Sequence, residues 1–298
     1  MKNFDFVKNK KIFFIITGVV LLLGIICMLI RGFNVDTDFA GGTNMQVHIG
    51  KTLDAAELDN IRSIAEDVIG MPVSSIQKSG TNADEVIIKM KEIDSETREA
   101  LFAKLAEVYS LTDEDLLSVT NVGASMSADL RRAAITSTII AVVLMLVYIA
   151  FRFKFVSAIA AVLCLIHDLA IMLIAYSLFQ IPMQSTMIAA LLTILGYSIN
   201  ATIIIFDRIR EGRRQNAKQP FGEVVNTAVH NTLTRSINTT LTTLFTIGMI
   251  YIFGVESIRS FALPLIIGIF AGLYSSVCLA GNLWVVLDKY LPKLGKKQ

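Results

Sequence analysis

Charge is scarce in this 298-residue chain, where only 17% of residues are Asp, Glu, Lys or Arg. With 54% apolar residues and a mean hydropathy of +0.61, the composition excludes an ordinary soluble domain and points to a polytopic membrane protein. Cysteine is scarcer still. The three present (Cys27, Cys164 and Cys278) all lie inside apolar runs, a spacing that excludes a disulfide framework and a cysteine metal site and leaves them as apolar filler. No nucleophile is placed beside a base, so no enzymatic activity, cofactor, metal or nucleic-acid partner is expected. Charge of one sign is also missing locally. From Arg31 to Arg132 there are ten Lys/Arg against eighteen Asp/Glu, a local charge of −8, which leaves 17 against 7 elsewhere, or +10. An acidic insert in a basic, apolar chain suggests two compartments.

A bilayer core takes roughly 20 apolar residues in a helix, and six such stretches are present, at about 12–30, 135–151, 156–178, 185–206, 236–253 and 261–287. The first follows Lys2, Lys8, Lys10 and Lys11 like a secretory signal. Its apolar run is too long for one and ends at Arg31-Gly32 without a small-x-small cleavage site, so it reads as an uncleaved anchor. Basic residues mark the cytoplasmic side. They gather at the amino terminus, at Arg152-Phe153-Lys154, from Arg208 to Lys218 (five Lys/Arg), and in the tail at Lys289, Lys293, Lys296 and Lys297. The alternate loops, Gln180–Gln184 and Gly254–Ser260, hold only Arg259. The expected layout is a plasma-membrane protein with both termini cytoplasmic. Residues 1–30 supply the first helix, 31–132 an extracytoplasmic domain, and 133–298 a five-helix bundle with a cytoplasmic loop at 207–234 and a basic tail.

Within 31–132 the hydrophobic period switches in order. Asn44–Ile49 alternates like a strand, and Leu53–Ile69 carries Leu58, Ile61, Ile64/Ala65 and Val68 at helical spacing. Val73–Gln77 and Glu85–Met90 read as strands about a Gly-Thr-Asn turn, Ser95–Val108 as a helix and Leu117–Val122 as a last strand. This β-α-β-β-α-β order is the ferredoxin-like split βαβ pattern, which hosts many functions and argues for none. His48 stands on a strand with no second ligand near it in the sequence, and Asp113-Glu114-Asp115 reads as a helix start on a solvated face.

Ionisable groups inside a membrane are expensive and few. His167-Asp168 falls near the middle of the third span, on a face shared with Cys164 and Ala161. Two readings stand: a buried acid pinning helices in register, or a protonatable group on a proton path. In the fifth span Arg235 and Asn238 precede a stripe of Thr239, Thr242/Thr243 and Thr246, and in the sixth Gly268, Gly272, Ser276 and Ala280 recur every four residues. On the fourth span Thr193, Gly196 and Asn200 share a face, and Ser198, Asn200 and Thr202 mark a helix turned toward protein. Together these faces suggest a tight internal interface, static or moving. Asp207, Arg208 and Arg210 mark the membrane boundary, where the arginines suit a helix carboxyl end. Pro220–Leu233 is expected to lie along the cytoplasmic surface as an amphipathic helix.

Four stretches, spread in order over nearly the whole chain, carry a family resemblance. They are DTDFAGGT (Asp36–Thr43), LIHDLAIML (Leu165–Leu173), GYSINATIIIFDRIREG (Gly196–Gly212) and the run Thr234–Thr243. The chain resembles the SecF-type members of the SecD/SecF family, within the resistance-nodulation-division superfamily. That resemblance implies a SecD partner completing a pseudo-symmetric twelve-helix unit beside the SecYEG channel. It also implies that outside domains grip emerging unfolded polypeptide as ions, protons or sodium, pass through the helix interface. It assigns His167, Asp168, Asn200, Arg235, Thr239 and Thr243 to that interface, and Asp38, Phe39, Gly41 and Gly42 to the junction of span and domain, where Asp38 either anchors the turn or merely caps it. A small-molecule or lipid exporter of the same superfamily is the alternative. The chain departs from the family at Asn200-Ala201, where family members show Asn-Asp and the Asp belongs to the proton path. Three accommodations stay open: coupling through Asp168 or an acid supplied by SecD, coupling without this group, or a passive scaffold.

Overall fold

Among the described residues, six helices are long and apolar enough to cross a membrane, and a small α+β domain is inserted after the first. The computed structural model describes residues 4–290 except Thr81 and Lys154, with the side chains of Glu256 and Ser257 also left aside. Lys2, Lys154, the middle of the Gly-Thr-Asn turn, and the tail lysines Lys293, Lys296 and Lys297 lie outside the described residues.

The first span is α1 (Lys10–Arg31), followed by a one-turn helix, α2 (Thr37–Ala40). The domain then runs β1 (Gly42–His48), α3 (Ala55–Ile69), β2 (Ser75–Ser79), β3 (Glu85–Met90), α4 (Ser95–Tyr109) and β4 (Leu116–Val122). Its helices start where the sequence supplies acceptors for orphan amides: Asp54 accepts from Glu57 N at 2.8 Å and Asp94 from Thr97 N at 2.7 Å. The sheet order is β2-β3-β1-β4 and all three pairings are antiparallel. This is the expected split βαβ arrangement. The expected Val73–Gln77 strand lies two residues later, because Ser74 N instead donates to Lys89 O beyond the ladder's end.

Strand alternation divides the sheet into two faces. Met45 and Val47 of β1, with Val86, Ile88 and Met90 of β3, meet Ile61 and Ala65 of α3 and Leu101 and Leu105 of α4 in the domain core. The opposite face is polar. There Asn44 lies opposite Lys89, Gln46 opposite Ile87 and His48 opposite Glu85. This register places Asp84 and Glu85 within 4.8 Å of the His48 ring nitrogens. The histidine that lacked neighbours in the sequence therefore has two in space.

The remaining spans are α5 (Ala124–Arg152), α6 (Phe155–Leu178), α7 (Thr186–Gln215) and α8 (Phe221–Phe253). The sixth is composite: α9 (Glu256–Tyr274), a π-helical turn (Ser275–Ala280) and α10 (Gly281–Tyr290). The amphipathic segment at 220–233 is not a separate surface helix. It forms the first turns of α8, which runs unbroken for 33 residues with no Pro or Gly pair to stop it. Helix α6 and the sixth span form the centre, while α1, α5 and α8 are peripheral and present apolar side chains such as Leu23, Leu144 and Phe245 outward. A chain of six such spans is a multi-pass membrane protein.

The domain is attached by a junction that tolerates glycine alone. Gly41 and Gly42 have φ of +83° and +150°, and a Cβ on Gly42 would lie 2.2 Å from Met90 O. Gly42→Ala must therefore part β1 from β3. The expected outcome is faster protease nicking of the domain in the full detergent-solubilised chain, from a loss of more than about 3 kcal/mol. Gly70→Ala is the control, because its φ of +71° is strained but the space around it is open. It should cost only about 1 kcal/mol.

Candidate functional site

The only described carboxylate buried within the bundle is Asp168, which is fully buried on α6. A buried carboxylate needs donors, and three elements provide them. On α6 itself His167 Nδ1 lies 2.8 Å from Oδ1; Ser275 Oγ donates to Oδ2 at 2.8 Å, and Ser198 Oγ on α7 makes a short hydrogen bond to the same oxygen. The helices come close enough for this because small residues line the contacts. A Cβ on Gly272 would lie 3.2 Å from Ser198 Cβ, and one on Gly268 would overlap Ile194. Cys164 and Ala161 share the buried face with Asp168.

Ser275 opens the π-helical turn. The wide turn releases backbone groups from the regular ladder, and Ser275 O accepts a weak contact from Cys164 Sγ at 3.8 Å. The four-residue stripe in the sequence pointed instead to Ser276, which is buried and donates to Leu273 O at 3.0 Å. Two steps of four drift about 80° round a 3.6-residue helix, whereas Ser275, seven residues after Gly268, returns to nearly the same face. His167, on the other side of Asp168, lines a groove of about 280 Å³ together with Thr17, Phe14 and Leu21 of α1. Its ring lies 5.9 Å from that of Tyr274, whose hydroxyl donates to Phe13 O at 3.0 Å. The Asp168 cluster is thus sealed on one side by α7 and α9 and edged by a groove on the other.

The remaining intramembrane polar residues do not join this cluster. Asn200, Arg235, Asn238 and Thr239 are exposed and Thr243 is half-buried. The threonines turn back onto their own helix: Thr239 Oγ1 donates to Arg235 O at 2.8 Å and Thr243 Oγ1 to Thr239 O at 2.9 Å. Gly196 and Thr193 are also exposed. The internal interface expected of three polar faces is therefore two surfaces: Ser198 and Thr202 of α7 face inward, and Thr193, Gly196 and Asn200 face outward. Residues two apart on a helix project about 200° apart, so Ser198, Asn200 and Thr202 cannot share a face. Ala201 is half-buried.

At the boundary opposite the domain, Asp207 is exposed and lies 3.5 Å from Arg152 Nη2, while Arg208 pairs with Glu211 at 2.6 Å and Arg210 donates to Arg152 O at 3.3 Å.

A second constellation joins domain and bundle. Asp36 is buried, caps α2 through Thr37 N at 2.7 Å and pairs with Lys89 Nζ at 2.6 Å. Asp38 accepts from Ser185 N, at the start of α7, at 2.8 Å. Phe39 inserts beside Met172, Tyr176 and Leu265, and its carbonyl accepts a short hydrogen bond from Arg131. Gln184 donates to Gln77 at 3.4 Å, and Asp36 N and Met183 O bond at 3.3 Å. The polar face of the sheet thus sits on the loop between α6 and α7. Asp36 and Lys89 were not singled out in the sequence, although an Asp directly before a Thr at a helix start is a capping signal.

The arrangement defines a class: a helical transporter-type bundle with a buried acid in its centre and an α+β domain docked on one end. Residues 102–290 match the family model "Protein export membrane protein SecD/SecF, C-terminal". The protein translocase subunit SecF of Acidaminococcus fermentans is 36% identical over 98% of this chain and 100% of its own length. That of Calditerrivibrio nitroreducens is 37% identical over 98% of this chain and 96% of its own. A Thermus SecDF, described as a translocon-associated membrane protein, superposes with a TM-score of 0.82 at 32% identity, covering 96% of this chain. A SecDF in a super-membrane-facing form superposes with a TM-score of 0.72 at 31% identity, covering 97%. This chain spans 39% of each of those two SecDF chains. The chain belongs to the SecD/SecF family.

The Asp36–Lys89 pair gives a direct test of docking. Lys89→Met leaves Asp36 buried without its cation, which should cost about 3–5 kcal/mol. The pairing is nearly dry, with side-chain exposures of 9% and 0%. Hydrogen exchange of α2 and β3 amides in the full chain should rise sharply in Lys89→Met and fall back in the double variant Asp36→Asn/Lys89→Met. Equal exchange in all three would show that the pair does not hold the domain.

Proposed function

We propose that this chain is a SecF-type subunit that joins a SecD-like chain beside the SecYEG channel. There it uses the proton motive force to promote late-stage export of unfolded polypeptide across a bacterial plasma membrane. Both termini then face the cytoplasm and the α+β domain faces outward, as the distribution of Lys and Arg favours. The role is mechanical and non-enzymatic.

The observation that carries this reading is the Asp168 cluster, which supports coupling through Asp168 in a chain with Ala201. As a carboxylate, Asp168 accepts from Ser198 on α7 and Ser275 on the sixth span through one oxygen. A proton passed from His167 Nδ1 lands on Oδ1 and removes the charge that both serine hydroxyls address at Oδ2. Both hydroxyls then face a neutral carbonyl oxygen, and the charge-assisted hydrogen bonds that fix the α6–α7–α9 contact weaken. His167, between Asp168 and the groove beside α1, is the residue placed to relay the proton. The docked domain follows α7 through Asp38 and Ser185. A buried acid biasing a two-state interface in this way converts proton flow into domain motion.

Asp168→Asn keeps the shape and one acceptor but cannot ionise. In membrane vesicles holding the chain, a SecD-like partner and the SecYEG channel, the variant should assemble normally and lose the gradient-dependent part of preprotein export. Ser198→Ala should retain a reduced part. Export by Asp168→Asn equal to that of the unaltered chain, with full gradient dependence, would rule the mechanism out and leave Asp168 as a structural pin.

A further inference from the structure

At the end of the bundle farthest from the α+β domain, a cavity of about 360 Å³ opens between the α5–α6 turn, α7 and α10. Arg152, Arg210, Arg213 and Arg214 stand round it, and Phe153, Ile209 and Trp284 line it. Four guanidiniums at one opening repel one another unless anions answer them. Two carboxylates stand nearby, each at long range: Asp207 is 3.5 Å from Arg152 and Asp288 is 3.8 Å from Arg213. Among the described residues no ion pair engages Arg210 or Arg214. The Arg210 guanidinium leans on the backbone, donating to Arg152 O at 3.3 Å. The mouth keeps a net charge of about +2.

An independent observation lies beneath it. Trp284 is only 4% exposed, and its indole Nε1 is buried with no hydrogen-bond partner. Burying such a donor unpaired is costly. Phe206 and Phe221 hold the ring from two sides, at centroid distances of 4.9 and 5.5 Å. The ring is therefore fixed, and its N–H finds no acceptor among the described residues. Arg213 is likewise held, stacked 4.4 Å over Phe221.

We propose that this pocket binds a phosphate group, and that its physiological occupant is the headgroup of an anionic phospholipid in the adjoining leaflet. Arginine forks match phosphate oxygens in pairs. An apolar floor under a cationic rim at a membrane boundary suits an amphiphile better than a free ion. The site uses α5, α7 and α10 together, so an occupied pocket ties three spans at the end away from the domain. The inference requires that α5 to α10 lie in a bilayer and does not depend on ion coupling at Asp168.

Trp284 is the only tryptophan in the chain, so its emission reports on the pocket without labelling. The full chain in neutral detergent should be titrated with short-chain phosphatidylglycerol, phosphatidylcholine and inorganic phosphate. Phosphatidylglycerol should change the emission saturably, with the effect weakened by salt, and phosphatidylcholine should not. In R210Q/R214Q half-saturation should need at least about tenfold more lipid, the loss of one or two charge-assisted contacts. R210K/R214K, which preserves charge and is gentler on folding, should fall between the two. A response to phosphatidylglycerol that is unchanged in both variants, or an equal response to phosphatidylcholine, would overturn the proposal. Saturation by inorganic phosphate at the same concentrations would overturn the lipid assignment and leave a free-anion site.

Discussion

A carboxylate placed in the middle of a helical bundle has to be answered by donors from neighbouring helices, and in this chain that demand organises the centre. Asp168 draws Ser198 from α7 and Ser275 from the sixth span. Leaving any of these groups unpaired in a dry interior would cost free energy of the same order as a hydrogen bond to a charge, about 1.5–3 kcal/mol. The glycines follow from this requirement. Hydroxyl side chains are short, so the helices can meet Asp168 only where Gly268 and Gly272 let α9 approach α7 closely. The π-helical turn starts at the residue whose hydroxyl reaches the acid.

The same helix that answers Asp168 also holds the domain. Ser185 N, next to the first turn of α7, donates to the Asp38 carboxylate, and the helix presents Ser198 to Asp168 thirteen residues later. At 1.5 Å per residue these points are about 20 Å apart along one rigid rod. No interruption lies between them, because the stretch holds neither Pro nor a Gly pair and runs as continuous helix. A displacement of α7 at the acid therefore has to appear at the domain junction. There the buried Asp36–Lys89 pair and the glycine turn leave the sheet little freedom to lag behind.

Much of this was legible in the sequence wherever a period is strict. Alternation in 44–49 and 85–90, and helical spacing in 53–69, translate directly into β1, β3 and α3 because a packed small core enforces those periods. What could not be read has common causes. The Lys89 partner of Asp36 lies 53 positions away and meets it only through sheet register. Ser275 was hidden because a strict step of four drifts away from a 3.6-residue face. The direction faced by a polar stripe is not a local property either: the hydroxyl stripe of α8 looks the same in sequence whether it faces a core or the outside, since its hydrogen bonds close on its own carbonyls. The cavity ringed by Arg152, Arg210, Arg213 and Arg214 depends on Trp284 arriving from 70 or more residues downstream.

The exposed polar groups of α7 and α8 constrain what surrounds this chain. Asn200, Arg235 and Asn238 are exposed, and Arg235 has no ion-pair partner among the described residues. A lipid-facing arginine or asparagine is costly, whereas the outward surfaces of α1 and α5 are plainly apolar. The chain therefore has two kinds of surface, one suited to lipid and one suited to further polar protein or water. Ala201 beside Asn200 adds to this asymmetry, because no acid of this helix turn can neutralise Arg235. The SecDF chains that superpose on this one are more than twice as long and hold polypeptide beyond the part matched here. The exposed Asn200, Arg235 and Asn238 make α7 and α8 the polar side of the bundle, the surface on which the SecD-like partner proposed above would dock.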